Sequence, residues 1–293
     1  MKRSGLFILF VTALLMAHSQ RTSYQYMLNP LALNAGFTGY HDVLSATSQI
    51  RFQTLGVAGS PQTQSFGVHS PLMAKRAAVG LQFWNESIGT TSQMSVMGAY
   101  AYRINTGKFK ISMGLQAGVK RAETMLTTLH TRQGADPVFS NNYRGTSPSI
   151  GSGILVYAAD FYGGFSVPEI FKDERYAIGQ RPMILMGGYA FPLGNRLKLR
   201  SNALVRMVDA KIVEASLNGI LDIDDVAGVG LSYSISGVAV ALFRINFTDK
   251  IRFAYSSEFL LRQGINSNVG SHEVGLQYLF YRTRKNLQSP RYF

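Results

Sequence analysis

Residues 108–120 alternate without a break. Phe109, Ile111, Met113, Leu115, Ala117 and Val119 fall on one face of an extended chain, and Lys108, Lys110, Ser112, Gly114, Gln116, Gly118 and Lys120 fall on the other. Strand side chains point to opposite faces in turn, so this segment has one oily face and one wet, partly charged face. A tilted strand needs about 9–11 residues to cross a bilayer, and this run is longer. Repeated along a chain, the pattern specifies a membrane barrel with its oily face turned to lipid.

The pattern does recur. Val229, Leu231, Tyr233 and Ile235 interleave with Gly228, Gly230, Ser232, Ser234 and Ser236. Val274, Leu276, Tyr278 and Phe280 interleave with Glu273, Gly275 and Gln277, and Phe253, Tyr255 and Phe259 oppose Arg252, Ala254, Ser256 and Glu258. Leu197, Leu199, Ala203, Val205 and Met207 alternate with Lys198, Arg200, Asn202 and Arg206. Charges kept to one parity suit a polar interior, because a charge on the lipid face costs about 2–4 kcal/mol at midplane. A soluble sandwich also alternates, but its strands usually run about 5–6 residues. Aromatics such as Tyr100, Tyr102, Phe243 and Phe247 cluster near the ends of the segments, as interfacial girdles do.

Fourteen segments emerge: 42–55, 63–70, 77–87, 92–103, 108–121, 147–158, 160–167, 183–191, 196–208, 212–222, 226–235, 238–247, 250–260 and 271–283. Segments 63–70 and 160–167 are short, so 12 strands is the alternative count. With a periplasmic start, the tight turns at 105–107, 194–195 and 248–249 share one side, and the longest gaps, 122–146 and 168–182, share the other. Bacterial barrels pair short periplasmic turns with longer outer loops in this way. The expected fold is therefore an all-β, antiparallel transmembrane β-barrel, with room for a plug formed by the N-terminal segment.

The ends have their own chemistry. Lys2 and Arg3 precede an apolar run from Leu6 to Ala17, and Ala17-His18-Ser19 fits a signal-peptide cleavage site. The expected layout is a signal peptide at 1–19, a periplasmic or luminal segment at 20–41, the barrel at 42–283 and a basic tail at 284–293. No later segment has the apolar length of a spanning helix. The formal charge is +13, of which Lys2 and Arg3 account for two, and the basic residues are scattered. No recognition motif accompanies them, so nucleic acid is not an expected partner. Outer-membrane lipid and lipopolysaccharide, or an acidic protein, suit that charge better.

The flanking segments carry a family likeness. Tyr24-Gln25-Tyr26-Met27-Leu28-Asn29-Pro30-Leu31 continues to Asn34-Ala35-Gly36-Phe37-Thr38-Gly39. Pro61-Gln62-Thr63-Gln64-Ser65, His69-Ser70-Pro71-Leu72, Ala101-Tyr102-Arg103-Ile104, Gly164–Phe171 and the terminal Ser289-Pro290-Arg291-Tyr292-Phe293 follow in order. Together these resemble the PorP/SprF family over essentially the whole chain after the signal peptide. Two positions depart from the family pattern: Ala35-Gly36-Phe37 stands where Pro-Ala-Tyr is common, and Thr54 stands where Trp is common. The resemblance implies an outer-membrane protein of Bacteroidetes-type bacteria tied to type IX secretion and gliding motility. It also implies two kinds of partner, a large secreted surface adhesin and periplasmic motor components.

Catalytic and metal patterns are weak. The chain has no cysteine, so thiolate sites and disulfides are excluded. His69, His130 and His272 lie far apart and read as solvated residues without metal-ligand spacing. Ser65 and Ser70 flank His69 without a nucleophile elbow. Asp222, Asp224 and Asp225 read as a solvated periplasmic turn, with cation binding as the lesser alternative. No cofactor, catalytic residue or metal ligand is expected. Inward glycines are expected to let strands curve or let a plug approach.

Two functions remain in contention. The first is docking and secretion support. Its partner-binding candidates are Arg121, His130, Arg132, Phe139 and Tyr143 on and beside the outer loop, with Arg284, Lys285 and Arg291 in the tail. Parity also sets Arg103, Arg200, Arg206, Arg244 and Arg252 in the lumen, where an ion-pair network with Glu86 and Glu169 is expected. The second is a passive pore or hydrophobic-solute transporter. A lumen closed by 20–41 favours the first, and a water-filled lumen favours the second.

Overall fold

The computed structural model describes residues 23–72, 76–128, 141–171, 181–260 and 270–281. Fourteen antiparallel strands close into one barrel. They are β1 (Leu44–Phe52), β2 (Gln62–Pro71), β3 (Ala77–Ile88), β4 (Thr91–Asn105), β5 (Lys110–Thr124), β6 (Tyr143–Tyr157), β7 (Phe161–Val167), β8 (Pro182–Leu193), β9 (Leu197–Val208), β10 (Lys211–Ile223), β11 (Ala227–Ser234), β12 (Val238–Asn246), β13 (Ile251–Leu260) and β14 (Ser271–Phe280). Every strand pairs with its sequence neighbours, and β1 closes against β14 from Leu44 opposite Phe280 to Phe52 opposite His272. The count of fourteen replaces the twelve-strand alternative: the short β7 still pairs on both sides, with β6 and β8. Closure leaves no unpaired edge, which is the only way a sheet survives in lipid.

The alternation of 108–120 is realised in β5. Met113, Leu115 and Val119 are exposed, while Ser112, Gly114 and Gln116 are buried. Leu115, Leu217 and Leu231 are 61%, 61% and 70% exposed, so the outer face is one that only lipid covers well. The short turns at 106–109, 194–196, 224–226 and 247–250 share one end, the periplasmic end. The strands β4, β5 and β6 are the longest, at 15 residues each, and raise a ridge at the outer rim. Part of the expected outer loop is therefore strand: Thr124 pairs with Tyr143 and Arg121 with Thr146.

The lumen is not uniformly polar. Leu155, Tyr157, Tyr162, Ile184, Met186 and Leu204 point inward from β6 to β9, and Ile220, Val238, Val240 and Leu242 do so from β10 and β12. Strand β8, and β12 from Val238 to Leu242, are thus apolar on both faces. Inward apolar groups need an apolar partner, and residues 23–43 supply it.

Candidate functional site

Residues 23–43 fold inside the barrel as a plug. The segment makes two short 3₁₀ turns, Pro30–Ala32 and Ala35–Phe37. Asn34 caps the second, accepting from the Gly36 amide at 2.7 Å. Tyr26, Phe37 and Tyr40 pack on the apolar wall of β6–β9, and Tyr24 packs against β10 and β12. Leu31 and Phe37 are fully buried.

An irregular segment in a barrel must find partners for its backbone. Here the wall supplies donors. Gln49 donates to the Gln25 carbonyl at 3.0 Å, Gln277 to Leu28 at 3.0 Å and Gln82 to Leu31 at 2.8 Å. Ser166 donates to Leu33 at 2.7 Å and Arg103 to Gly39 at 2.9 Å. The Asn34 amide returns a bond to the Ile154 carbonyl at 3.1 Å. Wall glycines make the approach possible: a Cβ at Gly114 would lie 2.2 Å from the Ala35 carbonyl, and one at Gly153 would lie 2.0 Å from the Asn34 side chain. Gly228 and Gly230 serve the wall, since a Cβ there would meet Asp222 and the Gly219 carbonyl.

The plug divides the lumen into two chemically different ends. Above it, a cavity of about 200 Å³ opens among Tyr26, Gln82, Trp84, Gln116, Lys120 and Arg206. Among the described luminal residues, carboxylates outnumber cations at this outer end. Arg51 pairs with Glu258 at 3.0 Å, and Lys120 pairs with Glu169 at 2.7 Å. Glu273 accepts from the Ser23 hydroxyl and from Gln49. Arg206 lies in the field of Glu214, Glu169 and Glu86.

At the periplasmic end the balance is reversed. Asp42, the last charged residue of the plug, is gripped by Arg103 at 2.6 Å and Lys110 at 3.1 Å. Asp42 has φ 58°, a left-handed turn that aims the carboxylate back at the wall. Asp222 bridges Arg200 and Arg244. Arg252 donates to two neutral amide oxygens, Asn246 at 3.0 Å and Gln277 at 3.2 Å. Beside Asp42, the His41 ring lies tilted against Tyr40 at 3.9 Å and stacks on His69 at 5.3 Å. Burial holds the His41 imidazole well below its ordinary pKa, helped by the charge of Arg252, so it sits neutral at pH 7.

Arg103, Arg200, Arg206, Arg244 and Arg252 all face the lumen, but they form two groups with different partners. Glu86 and Glu169 serve only the outer group; Asp42 and Asp222 serve the inner one. Asp222 corrects the reading of 222–225 as one solvated turn: it is 1% exposed and lies on the luminal face of β10. Asp224 and Asp225 do lie in the turn, paired with Arg196 at 2.5 Å and Lys198 at 3.0 Å. His69 is likewise no solvated residue; it is buried and accepts from the Gly39 amide at 3.1 Å. Arg121 and Tyr143 sit on the outer ridge, 45% exposed at the Arg121 side chain, near the Glu123–Arg144 pair. His130, Arg132, Phe139, Arg284, Lys285 and Arg291 lie outside the described residues. No cluster of metal-binding side chains occurs among the described residues.

Known proteins give this geometry a family. The model of the type IX secretion system membrane protein PorP/SprF matches residues 16–278. The chain belongs to the PorP/SprF family. A search of curated proteins gives no match. Among solved structures, the outer membrane protein Omp33 of Acinetobacter baumannii is similar at 9% identity and TM-score 0.50, covering 83% of this chain and 100% of its own. The KdgM porin is similar at 10% identity and TM-score 0.37, covering 81% and 99%. OmpF of Salmonella typhi is similar at 11% identity and TM-score 0.36, covering 81% and 97%. At these identities Omp33 testifies to the fold alone. Family and fold together make this PorP/SprF chain an outer-membrane β-barrel of type IX secretion.

Proposed function

We propose that this PorP/SprF barrel is a plugged docking component that supports secretion and surface attachment of a large adhesin and engages periplasmic parts of the machinery. It acts without catalysis. The observation that supports this reading is the seating of residues 23–43: the plug is hydrogen-bonded to β1, β3, β4, β7 and β14 and packed on the apolar side formed by β6–β10 and β12. A solute path would have to break those contacts. Recognition then belongs to the two faces the plug leaves available, the outer vestibule with its β4–β6 ridge and the periplasmic mouth. The ridge offers Arg121 and Tyr143 as a charged and an aromatic contact, the residue types that dominate interface energetics.

Planar-bilayer recordings combined with affinity purification from native outer membranes test the proposal. The expected result is little single-channel current from the intact protein, with secretion components and a large surface protein in the eluate. Steady porin-like conductance with neither partner recovered would support the passive pore instead.

A further inference from the structure

The geometry points to a binding site for a compact free oxyanion, of phosphate size, beneath the plug at the periplasmic mouth. Arg200, Arg244 and Arg252 line one cavity of about 40 Å³, roofed by Gln25, Met27 and Leu28 of the plug. A single water needs about 10–15 Å³ measured this way, so the space suits an ion of a few heavy atoms and excludes a large solute.

The charges there do not balance. Among the described residues, Lys198, Arg200, Arg244 and Arg252 form ion pairs with Asp222 and Asp225. Asp225 is committed to Lys198 at 3.0 Å and reaches Arg200 only at 3.6 Å. Asp222 must serve both Arg200 and Arg244, and Arg252 rests on amide oxygens. Arg200 is 5% exposed, and its Nη1 has no hydrogen-bond partner among the described residues. Buried charges are ordinarily paired, because an uncompensated one costs several kcal/mol. Guanidinium groups match the planar fork of an oxyanion, which gives them a preference over chloride. A bound oxyanion would also tie β9, β12 and β13 to the underside of the plug.

The test uses the full-length barrel in detergent. Thermal unfolding is followed while inorganic phosphate, sulfate or chloride is titrated at constant ionic strength. Phosphate and sulfate should raise the midpoint saturably, and chloride should not. Arg252→Gln, which keeps its amide hydrogen bonds within reach, should weaken the apparent phosphate Kd by about tenfold or more. Asp222→Asn should melt lower without phosphate yet bind it about tenfold tighter, because the competing carboxylate is gone. A merely structural arginine cluster predicts the same lost stability for Asp222→Asn but no gain in phosphate affinity, and that result would also overturn the site. Equal shifts with chloride, no saturable shift, or an unchanged Kd in Arg252→Gln would each overturn the site.

Discussion

The two ends of this lumen both pair carboxylates with cations, and they behave differently. At the outer end, Glu86, Glu169, Glu214, Glu258 and Glu273 surround Arg51, Lys120 and Arg206, so no single carboxylate is indispensable to its neighbours. At the periplasmic end, cations predominate, and each carboxylate carries more than one of them: Asp42 holds Arg103 and Lys110, and Asp222 holds Arg200 and Arg244. Position within a charge cluster, more than burial, decides what losing one charge does. The plug lies between these ends and contributes its own carboxylate, Asp42, to the end that lacks them.

The sharpest way to break this comparison is Asp42→Asn. It leaves buried Arg103 and half-buried Lys110 without a carboxylate, and removing one partner of a buried pair costs about 3–5 kcal/mol. Thermal unfolding should show that loss, and planar-bilayer current should rise as the plug loosens. Next is Gly114→Val. Its Cβ would collide with the Ala35 backbone, and overpacking of this kind costs about 1–3 kcal/mol; the expected outcome is plug displacement, read as protease access to residues 23–43 in a barrel that remains folded.

A pH titration comes third. The His41 pKa is depressed in the folded protein, so the unfolded chain binds the proton first; the stabilisation is complete above about pH 6.5 and is lost as pH falls. Acidification from pH 7.5 to 5 should lower stability, with His41 contributing up to about 2 kcal/mol, and His41→Phe should make the slope shallower. The outer end supplies the control: Glu273→Gln keeps an acceptor for Ser23 within an acid-rich cluster and should cost about 1 kcal/mol or less. If Glu273→Gln proves as damaging as Asp42→Asn, the contrast between the ends fails. The smallest effect belongs to Arg196→Ala. Arg196 and Asp224 pair in the open turn, where hydrogen bonding to Arg196 holds the Asp224 carboxyl below its ordinary pKa. The melting midpoint should not move measurably, because exposed pairs contribute little.

Strand positions were legible in the sequence wherever one face is wet. β1, β5, β9, β11, β13 and β14 alternate polar with apolar residues, and their inward parity follows directly. The luminal arginines were legible for the same reason. Their partners were not, because parity gives the face of a residue and says nothing about which neighbour shares its height. Asp222 looks like a turn residue because it stands two and three residues from the turn aspartates Asp224 and Asp225. The apolar side of the lumen is hidden too: β8 and the Val238–Leu242 part of β12 show no polar face, since Ile184, Met186, Val238 and Val240 pack on the plug. A strand in a barrel that is apolar on both faces signals that something apolar lies inside, and the Tyr- and Leu-rich run from Tyr24 to Tyr40 is the matching half of that signal.

The hydrogen bonds that seat the plug have a consequence for assembly. Gln277 binds the Leu28 carbonyl, Glu273 binds Ser23, and the Glu273 carbonyl accepts from Gln25, so the first described residues lean on the last strand. These contacts span nearly the whole chain, and contacts of such long range form late because loop closure must come first. Residues 23–28 of the plug cannot be fully seated until β14 and β1 are both in place. An unclosed sheet therefore keeps a loose, protease-accessible leader, and a seated plug certifies that the last strand has found the first.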